Sequence, residues 1–326
     1  MNQPSLFRIH VALGLVGSVS LSALNLLLPV QAQAPSFMPA DSAESLPITV
    51  NAVDLATDQS LSEPADPRVE RGIICAPGQL PEDCDDRVPM LDRSQPWSAI
   101  GRILRVHETP EGTTAYQCTG TLIADNLVLT NAHCVVDPET HQPFSEDLLL
   151  FEPNLINGVL ANQNDRAQII GGVYGTDFSD KAEPPDPNDW AIVRLDRSLG
   201  STYGVIPLQA LPLEVFSNNP DALTLVGYSG DFPNPDMFAN LQGGKGLTPS
   251  VAENCGVVGE SEDGVLIHDC DMRGGASGGP ILAWIDDQPY IVAVNSAELA
   301  NQETGIGPEN YATNIDRVVE WIQQQE

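Results

Sequence analysis

Positively charged residues are scarce in this chain of 326 residues. Lysine and arginine together number 14, against 45 aspartates and glutamates, which gives a formal net charge of -31. Nucleic acids and anionic membranes are bound by clusters of Lys and Arg, so the composition argues against both as partners. Hydrophobic residues make up 42% of the chain, which is enough to bury a sizeable core.

Helical periodicity is almost absent, and the chain has no internal repeat and no nucleotide-binding glycine motif. Short β-type runs instead alternate with turns rich in Pro, Gly, Asn and Asp, a pattern typical of an all-β barrel or sandwich. The predicted strands lie at 99–106, 117–123, 127–130, 148–151, 168–173, 190–195, 223–228, 265–267, 280–285 and 290–295. One helix is predicted at 314–323, where apolar residues recur at spacings of three and four.

No C-x-x-C spacing occurs, which argues against a zinc site, and we expect no metal or other cofactor. The six cysteines form three local couples, and an exported chain can keep disulfides. Six cysteines allow fifteen connectivities, so the pairing stays open. The couples are Cys75 with Cys84, Cys118 with Cys134, and Cys255 with Cys270.

The N-terminus has the parts of a secretory signal peptide. A basic start at Arg8 precedes the apolar stretch 11–30, which ends in an Ala-x-Ala pattern. We expect residues 1–34 to be removed by cleavage after Ala34, with Ala32 as the second choice. The alternative is an uncleaved membrane anchor, but no basic stop-transfer cluster follows the apolar stretch. The chain is therefore expected to be secreted, to the extracellular space or the periplasm, without a stable membrane anchor.

Residues 35–72 have the composition of a pro-segment or linker, rich in Pro, Ser, Ala, Asp and Glu. Arg68 and Arg71 are candidate processing sites, or alternatively ordinary surface arginines. The remaining residues, 73–326, form the predicted folded domain.

Three segments carry candidate catalytic groups. Ser277 lies between two pairs of glycines, which allow a tight turn that presents a hydroxyl and aims backbone N–H groups at one point. His133 follows a strand-type run and precedes Cys134, and Asp189 precedes another apolar run. Each alone is also typical of a structural role: a glycine-rich turn, a hydrogen-bonding histidine and a turn aspartate.

Taken together, these segments resemble the chymotrypsin-like (trypsin-fold) serine proteases. Thr130–Cys134 is similar to the family's T-A-A-H-C box, Asn188–Ile192 to its N-D-I-A-L box, and Gly275–Pro280 to G-D-S-G-G-P. The order His, Asp, Ser is also that of the family. Residues 225–230 resemble the strand that opens the second barrel, and 294–296 resemble the strand that pairs with substrate.

The resemblance implies two six-stranded antiparallel β-barrels, divided near 200–222, with a C-terminal helix. It implies that Ser277 is the nucleophile, His133 the general base and Asp189 the residue that orients the imidazole. The N–H groups of Gly275 and Ser277 would form the oxyanion hole. Polypeptides are the implied substrates, and we expect a monomer.

The chain departs from the digestive enzymes of this family. Ala276 stands where they carry an aspartate that pairs with the freed N-terminus, so activation by that ion pair is not expected. No cysteine follows Cys270. Asp85-Asp86-Arg87 is closer to the bacterial glutamyl-endopeptidase (V8-like) branch, which predicts a mature chain that begins near Gly72 or Ile73.

Substrate preference stays open at this level. Glutamyl specificity in the V8-like branch uses a histidine and a hydroxyl at the positions of Asn295 and Met272, so neither supports a Glu-binding pocket. Asp271, six residues before Ser277, falls where trypsin has its pocket-floor aspartate and would favour Arg or Lys, or it caps a turn. Ser296 lies on the substrate-pairing strand.

Two other functions use the same architecture: a catalytically inactive binding module, and an esterase. An α/β-hydrolase is excluded by the order of the three groups and by the lack of alternating helices.

Overall fold

The structure is a computed structural model that describes residues 7–10, 14–16, 35–43, 46–48, 60–61, 85–110, 112–144, 147–176, 178, 186–301 and 310–325. Nineteen strands and three helices lie in these ranges. The strands are β1 Phe7–His10, β2 Gly14–Val16, β3 Ser36–Pro39, β4 Val88–Pro89, β5 Ile100–Thr109, β6 Gly112–Ala124, β7 Leu127–Thr130, β8 Val136–Asp137, β9 Gln142–Pro143, β10 Leu148–Pro153, β11 Ala167–Tyr174, β12 Ala191–Leu195, β13 Leu223–Gly227, β14 Ser250–Cys255, β15 Val257–Glu260, β16 Val265–His268, β17 Pro280–Ile285, β18 Gln288–Asn301 and β19 Asn310–Asn314. The helices are α1 Gly200–Tyr203, α2 Leu213–Asn218 and α3 Asp316–Gln323.

The first half of the domain is a closed six-stranded antiparallel barrel. Its order is β10, β5, β6, β7, β12 and β11, and the pairing of β10 with β11 closes the ring. Closure removes free edges and buries one face of every strand in a common interior. All four residues of β7 are buried, which explains why its sequence reads as a continuous apolar run.

The second half forms a curved antiparallel sheet in the order β15, β16, β19, β18, β17, β13, β14 and β4. Strand β15 at one end and β14, next to β4 at the other end, are consecutive in sequence and separated only by Gly256. A Cβ on Gly256 would lie 1.8 Å from the carbonyl oxygen of Pro220, so only glycine fits at this bend. The two halves together confirm the predicted chymotrypsin-like β architecture.

The predicted C-terminal helix is confirmed as α3, which buries Val318, Val319, Trp321 and Ile322. The helix begins at Asp316 rather than at the predicted residue 314, because Asn314 still belongs to β19. The helix packs on the first barrel through the rings of Trp321 and Trp190, whose centroids are 5.5 Å apart.

Part of the predicted pro-segment packs on the domain. Strand β3 pairs in parallel with β11, and Ala40 and Ile48 are buried in the main hydrophobic core. The indole Nε1 of Trp321 donates a hydrogen bond to the carbonyl oxygen of Ala40 at 2.9 Å. Leu61 is buried in the core of the second sheet. These contacts tie the segment before residue 72 to both halves of the domain.

Two short strands lie within the predicted signal peptide. Strand β1 pairs antiparallel with the end of β18, and β2 pairs antiparallel with β6. The predicted cleavage positions Ala34 and Ala32 lie outside the described residues, as does the processing region 62–84 with Arg68, Arg71, Gly72, Ile73, Cys75 and Cys84. No helix of the described residues is both long and apolar enough to cross a membrane.

Candidate active site

His133 lies in a short 3-10 turn, Ala132–Cys134, directly after β7. The next residue, Cys134, forms a disulfide with Cys118 on β6, which fixes this turn against the barrel wall. The imidazole is fully buried. Strand β7 and the disulfide together determine where the ring stands.

Asp189 is the acid that faces this ring. Its Oδ2 lies 2.8 Å from His133 Nδ1, and its Oδ1 accepts a hydrogen bond from the His133 backbone N–H at 3.1 Å. The hydroxyl of Ser296 donates to Oδ2 at 2.6 Å. Burial opposes ionisation of the carboxyl group, but His133 and Ser296 outweigh it and keep the pKa of Asp189 below its ordinary value. The carboxylate is therefore ionised and holds Nδ1 of the ring in its N–H form.

The backbone of Asp189 is also held by hydrogen bonds. Its carbonyl oxygen accepts hydrogen bonds from Asn131 Nδ2 at 2.7 Å and from Thr313 Oγ1 at 3.1 Å. Asn131 precedes the turn of His133, and Thr313 lies on β19 in the second sheet. The acid is thus held from both halves of the domain.

Ser277 lies in the turn between β16 and β17. The turn is built on hydrogen bonds from the N–H of Ala276 to the Arg273 carbonyl at 3.0 Å and from the N–H of Gly279 to the Ala276 carbonyl at 2.9 Å. The carbonyl of Ser277 accepts from the Thr119 N–H at 2.7 Å, which joins the turn to β6 of the first barrel.

Ser296 links the serine hydroxyl to Asp189 within one buried cluster. Ser277 Oγ donates to the carbonyl oxygen of Ser296 at 3.1 Å, and the Ser296 side chain donates to Asp189. Among the described residues, no group hydrogen-bonds His133 Nε2. Catalytic hydrogen bonds are often unmade in unliganded enzymes, so this arrangement leaves Nε2 available to a rotated Ser277 hydroxyl.

The N–H groups of Gly275 and Ser277 are not used in hydrogen bonds within the described part of the chain. Gly275 has φ +103°, and a Cβ there would lie 2.5 Å from the Tyr228 carbonyl oxygen and 2.8 Å from Gln117 Nε2. Only glycine allows this close approach, and the oxyanion hole at this turn stays a prediction.

Asn295 lies behind Ser277 and is fully buried. Its Nδ2 donates to the Ala276 carbonyl at 3.0 Å, and its Oδ1 lies 3.1 Å from His268 Nε2. Since Oδ1 can only accept, Nε2 of His268 carries the proton. Burial lowers the pKa of His268 to about 4, so this ring is neutral. Both polar ends of Asn295 are used inside the protein, which gives it a position in support of the turn rather than in contact with substrate.

Asp271 and Met272 lie at the start of the nucleophile turn, and both are buried. Neither carboxylate oxygen of Asp271 has a hydrogen-bond donor among the described residues. Burial and the neighbouring carboxylate of Asp86 raise the pKa of Asp271. The pKa of Asp271 reaches about 8, so near neutral pH the side chain is mostly the uncharged acid.

Arg87 attaches the segment before the first barrel, called here the N-terminal arm, to this region. The sequence does not reveal this contact. Its Nε and Nη2 donate to the two oxygens of Asp85, each at 2.8 Å, and Nη1 and Nη2 donate to Asp231 at 3.0 and 2.8 Å. Burial opposes the charge, but both carboxylates outweigh it and hold the pKa of Arg87 above its ordinary value. Next to Asp231, Gly230 donates its N–H to the carbonyl of Gly274 at 2.7 Å, so the arm supports the loop beside the nucleophile turn.

Two predicted disulfides are present, Cys118–Cys134 and Cys255–Cys270. Among the described residues, one group of His and Cys is close enough to hold a metal ion: Cys118, His133 and Cys134. Both sulfurs of that group are in the disulfide, so only the imidazole could serve as a ligand.

Comparison with known proteins identifies the family. Residues 91–322 match the family Trypsin. A relative from Anopheles gambiae, "CLIP domain-containing serine protease B10", is 23% identical over 250 residues, which is 70% of this chain and 66% of the length of that protein. The chain thus spans slightly less than two thirds of that relative.

Solved structures show the same fold. A Glu endopeptidase in complex with MPD superposes with a TM-score of 0.52 at 20% identity, over 73% of this chain and 95% of the other. A thermostable serine protease, AL20, from an extremophilic microorganism superposes with a TM-score of 0.51 at 16% identity, over 70% and 96%. The family match covers most of the described domain, including His133, Asp189 and Ser277. This chain belongs to the trypsin family of serine endopeptidases.

Proposed function

We propose that this protein hydrolyses peptide bonds through an acyl-enzyme, with Ser277 as nucleophile, His133 as general base and acid, and Asp189 as the group that orients the ring. The observation that carries the proposal is the buried cluster in which Asp189 binds both the ring and the backbone of His133 while Ser296 joins Asp189 to Ser277. The imidazole can then present only Nε2 to the serine hydroxyl.

In the first half-reaction, Ser277 Oγ forms a bond to the scissile carbonyl carbon and its proton passes to His133 Nε2. The imidazolium is stabilised by the ionised Asp189. When the C–N bond breaks, the same proton goes from Nε2 to the leaving amine. A water molecule then attacks the ester carbon and gives a proton to Nε2. That proton passes to Ser277 Oγ when the C–O bond breaks, which releases the acid and restores the serine hydroxyl.

The carbonyl oxygen becomes an anion in each tetrahedral intermediate. The free N–H groups of Gly275 and Ser277 would bind it at the turn that the Ala276 and Gly279 hydrogen bonds hold in place. In other enzymes, removal of one such donor lowers kcat by about 10²- to 10³-fold. We therefore expect this turn to contribute as much to kcat as general-base catalysis does.

A polypeptide substrate would lie as an extended strand across the two halves. In this chain β1 pairs on β18 and β2 pairs on β6, so both edges that border the cluster accept an added strand. Removal of the predicted signal peptide at Ala34 would free both edges. Secretion would therefore be coupled to access of substrate to His133 and Ser277, which are buried in the full chain.

We also propose a preference for Arg or Lys on the acyl side of the scissile bond. Asp271 is buried without a donor and has the carboxylate of Asp86 beside it. A guanidinium or ammonium group would favour loss of the Asp271 proton and then face two carboxylates, whereas a glutamate would add a negative charge beside that of Asp86. Asn295, turned inward, supplies nothing to bind a glutamate.

The test combines active-site labelling with a substrate panel. The secreted protein should react with a fluorophosphonate probe and cleave peptides, and Ser277→Ala should abolish labelling and lower kcat by about 10⁶-fold. A protein that folds but neither labels nor cleaves would be an inactive binding module. Cleavage of small esters but of no peptide would indicate an esterase. A peptide panel varied on the acyl side should favour Arg and Lys, and equal rates for Arg, Leu and Glu would contradict the assignment to Asp271.

A further inference from the structure

Asn295 is the residue of β18 that lies directly against the nucleophile turn. Its backbone N–H donates to the carbonyl of Gly279 at 2.9 Å, and its backbone carbonyl accepts from the N–H of Gly278 at 2.8 Å. Its side chain adds a third contact, since Nδ2 donates to the carbonyl of Ala276 at 3.0 Å. Asn295 therefore holds the turn on both sides of Ser277.

The Ala276 carbonyl and the Ser277 N–H belong to the same peptide group. That group is planar and trans, so its C=O and its N–H point in opposite directions. A hydrogen bond that fixes the direction of the Ala276 carbonyl therefore also fixes the direction of the Ser277 N–H. This N–H is one of the two donors of the proposed oxyanion hole, and its direction decides how well it stabilises the tetrahedral intermediate.

Two donors hold the Ala276 carbonyl. One is the N–H of Gly279 at 2.9 Å, which belongs to the turn itself, and the other is Asn295 Nδ2 from a neighbouring strand. A bond within the turn moves with the turn, whereas the bond to Asn295 ties the peptide group to the sheet. The side chain of Ala276 is a methyl group and has no polar atom that could fix the turn in another way.

His268 holds the other end of the Asn295 amide. The Ala276 carbonyl can only accept, so Nδ2 faces it, and Oδ1 faces the protonated Nε2 of His268 at 3.1 Å. A flip of the amide would break both hydrogen bonds. Both His268 and Asn295 are fully buried, so water cannot replace either bond. The direction of the amide is therefore strongly fixed.

We propose that Asn295 is a positioning residue that orients the Ser277 N–H towards the oxyanion, with His268 holding the Asn295 amide from behind. This inference rests on the proposed function. It gives the buried pair of Asn295 and His268 a role in the rate of the reaction, in addition to the stability that a satisfied buried network contributes.

The expected effect is smaller than the loss of a whole oxyanion donor, which lowers kcat by about 10²- to 10³-fold in other enzymes. In Asn295→Leu the Ala276 carbonyl keeps its bond from the Gly279 N–H, and the backbone bonds of residue 295 do not depend on its side chain. We expect kcat to fall by about 10-fold and KM to change by less than about twofold, because the contact acts on the transition state and not on substrate binding.

The variant Asn310→Leu is the matched control. Asn310 is also a buried asparagine, and its Nδ2 donates at 2.9 Å to the carbonyl of Cys270, in the same segment between β16 and β17. The peptide group of that carbonyl carries the N–H of Asp271, which is not an oxyanion donor. Asn310→Leu should therefore lower the free energy of unfolding in urea, as Asn295→Leu does, and keep the wild-type kcat.

A second readout separates the transition state from the ground state. The Ser277 hydroxyl adds across the C=O bond of a peptide aldehyde and gives a tetrahedral carbon whose oxygen enters the oxyanion hole. The same peptide with a reduced CH2–NH bond has no such oxygen. Asn295→Leu should bind the aldehyde about 10-fold more weakly and the reduced peptide as tightly as the wild type does.

A double variant covers the case in which Asn295→Leu does not fold because the N–H of His268 is left without an acceptor. His268→Leu combined with Asn295→Leu removes both partners of the buried bond, a change that is often nearly neutral for stability. The double variant still lacks the donor to the Ala276 carbonyl, so it should show the same losses of kcat and of aldehyde affinity.

Equal losses of kcat in Asn295→Leu and Asn310→Leu would overturn the inference, since they would follow from lost stability alone. A wild-type kcat in Asn295→Leu or in the double variant would overturn it as well, and so would an equal weakening of both inhibitors. If the wild type itself neither cleaves peptides nor reacts with the fluorophosphonate, the proposed function fails, and this inference fails with it.

Discussion

His268 is the residue whose charge state the structure constrains most sharply. The ring is fully buried, donates from Nε2 to Asn295, and has no partner at Nδ1 among the described residues. Burial lowers its pKa from 6.5 to about 4, and the hydrogen bond to Asn295 offsets only part of this. A proton added to Nδ1 would place a positive charge in the interior of the second sheet.

The sign of the effect on stability follows from proton binding in the two states. Between pH 6.5 and about 4 the unfolded chain binds a proton at this histidine and the native chain does not, so the free energy of unfolding falls as the pH is lowered through this window. At about pH 5 the loss amounts to about 2 kcal/mol relative to about pH 7.5. Below about pH 4 the native state is protonated too, and the loss reaches its full value of about 3 kcal/mol.

The assay is urea unfolding of the wild type and of the variant His268→Gln, each at about pH 5 and at about pH 7.5. Glutamine can still donate to Asn295 but does not titrate, so the variant keeps the hydrogen bond and loses the proton linkage. We expect the wild type to lose about 2 kcal/mol more than the variant between the two pH values, with equal m-values. An identical pH dependence in the two proteins would refute the reasoning, because no other difference between them titrates in this range.

Three further predictions concern the catalytic region. Ser296→Ala removes the hydroxyl that donates to Asp189. We expect kcat to fall about 10-fold with little change in KM. An unchanged kcat would show that this hydrogen bond does not position Asp189. Arg87→Gln removes the charge between the carboxylates of Asp85 and Asp231. We expect the free energy of unfolding in urea to fall by about 3 kcal/mol, at the low end for a buried pair because Asp231 is 40% exposed. A decrease below about 1 kcal/mol would mean that solvent screens the contact. Asp271→Ser should lower kcat/KM for an Arg substrate about 100-fold and hardly change that for a Leu substrate, and an equal loss for both would assign Asp271 to structure alone.

The mature N-terminus is a separate question with a direct measurement. The analogy with the V8-like branch predicts a start near Gly72 or Ile73, yet β3 pairs on β11 and the Trp321 indole binds the Ala40 carbonyl. We therefore expect denaturing mass spectrometry of the secreted protein to give a chain that starts near residue 72, and native mass spectrometry to show the 35–71 fragment still bound. A single chain that begins near Pro35 would contradict the processing prediction.

The elements that were predicted correctly are those whose signal is local. Strands β7 and β17 were placed at their observed bounds, since an apolar run ended by a turn is specified within a few residues. Strands β14 and β19 were missed. Both contain polar residues, namely the exposed Glu253 and the buried Thr313, whose hydroxyl is satisfied by the carbonyl of Asp189 far away in the chain.

The amino-acid sequence by itself determined the β class, the C-terminal helix and the identity and order of His133, Asp189 and Ser277, because each depends on a pattern confined to a few residues. The tertiary structure decided what surrounds them: Ser296 between Asp189 and Ser277, and Arg87 on the loop beside the turn. These contacts join residues far apart in the chain. They are fixed by the register of strands and the closure of the barrel, and no local pattern of residues encodes either.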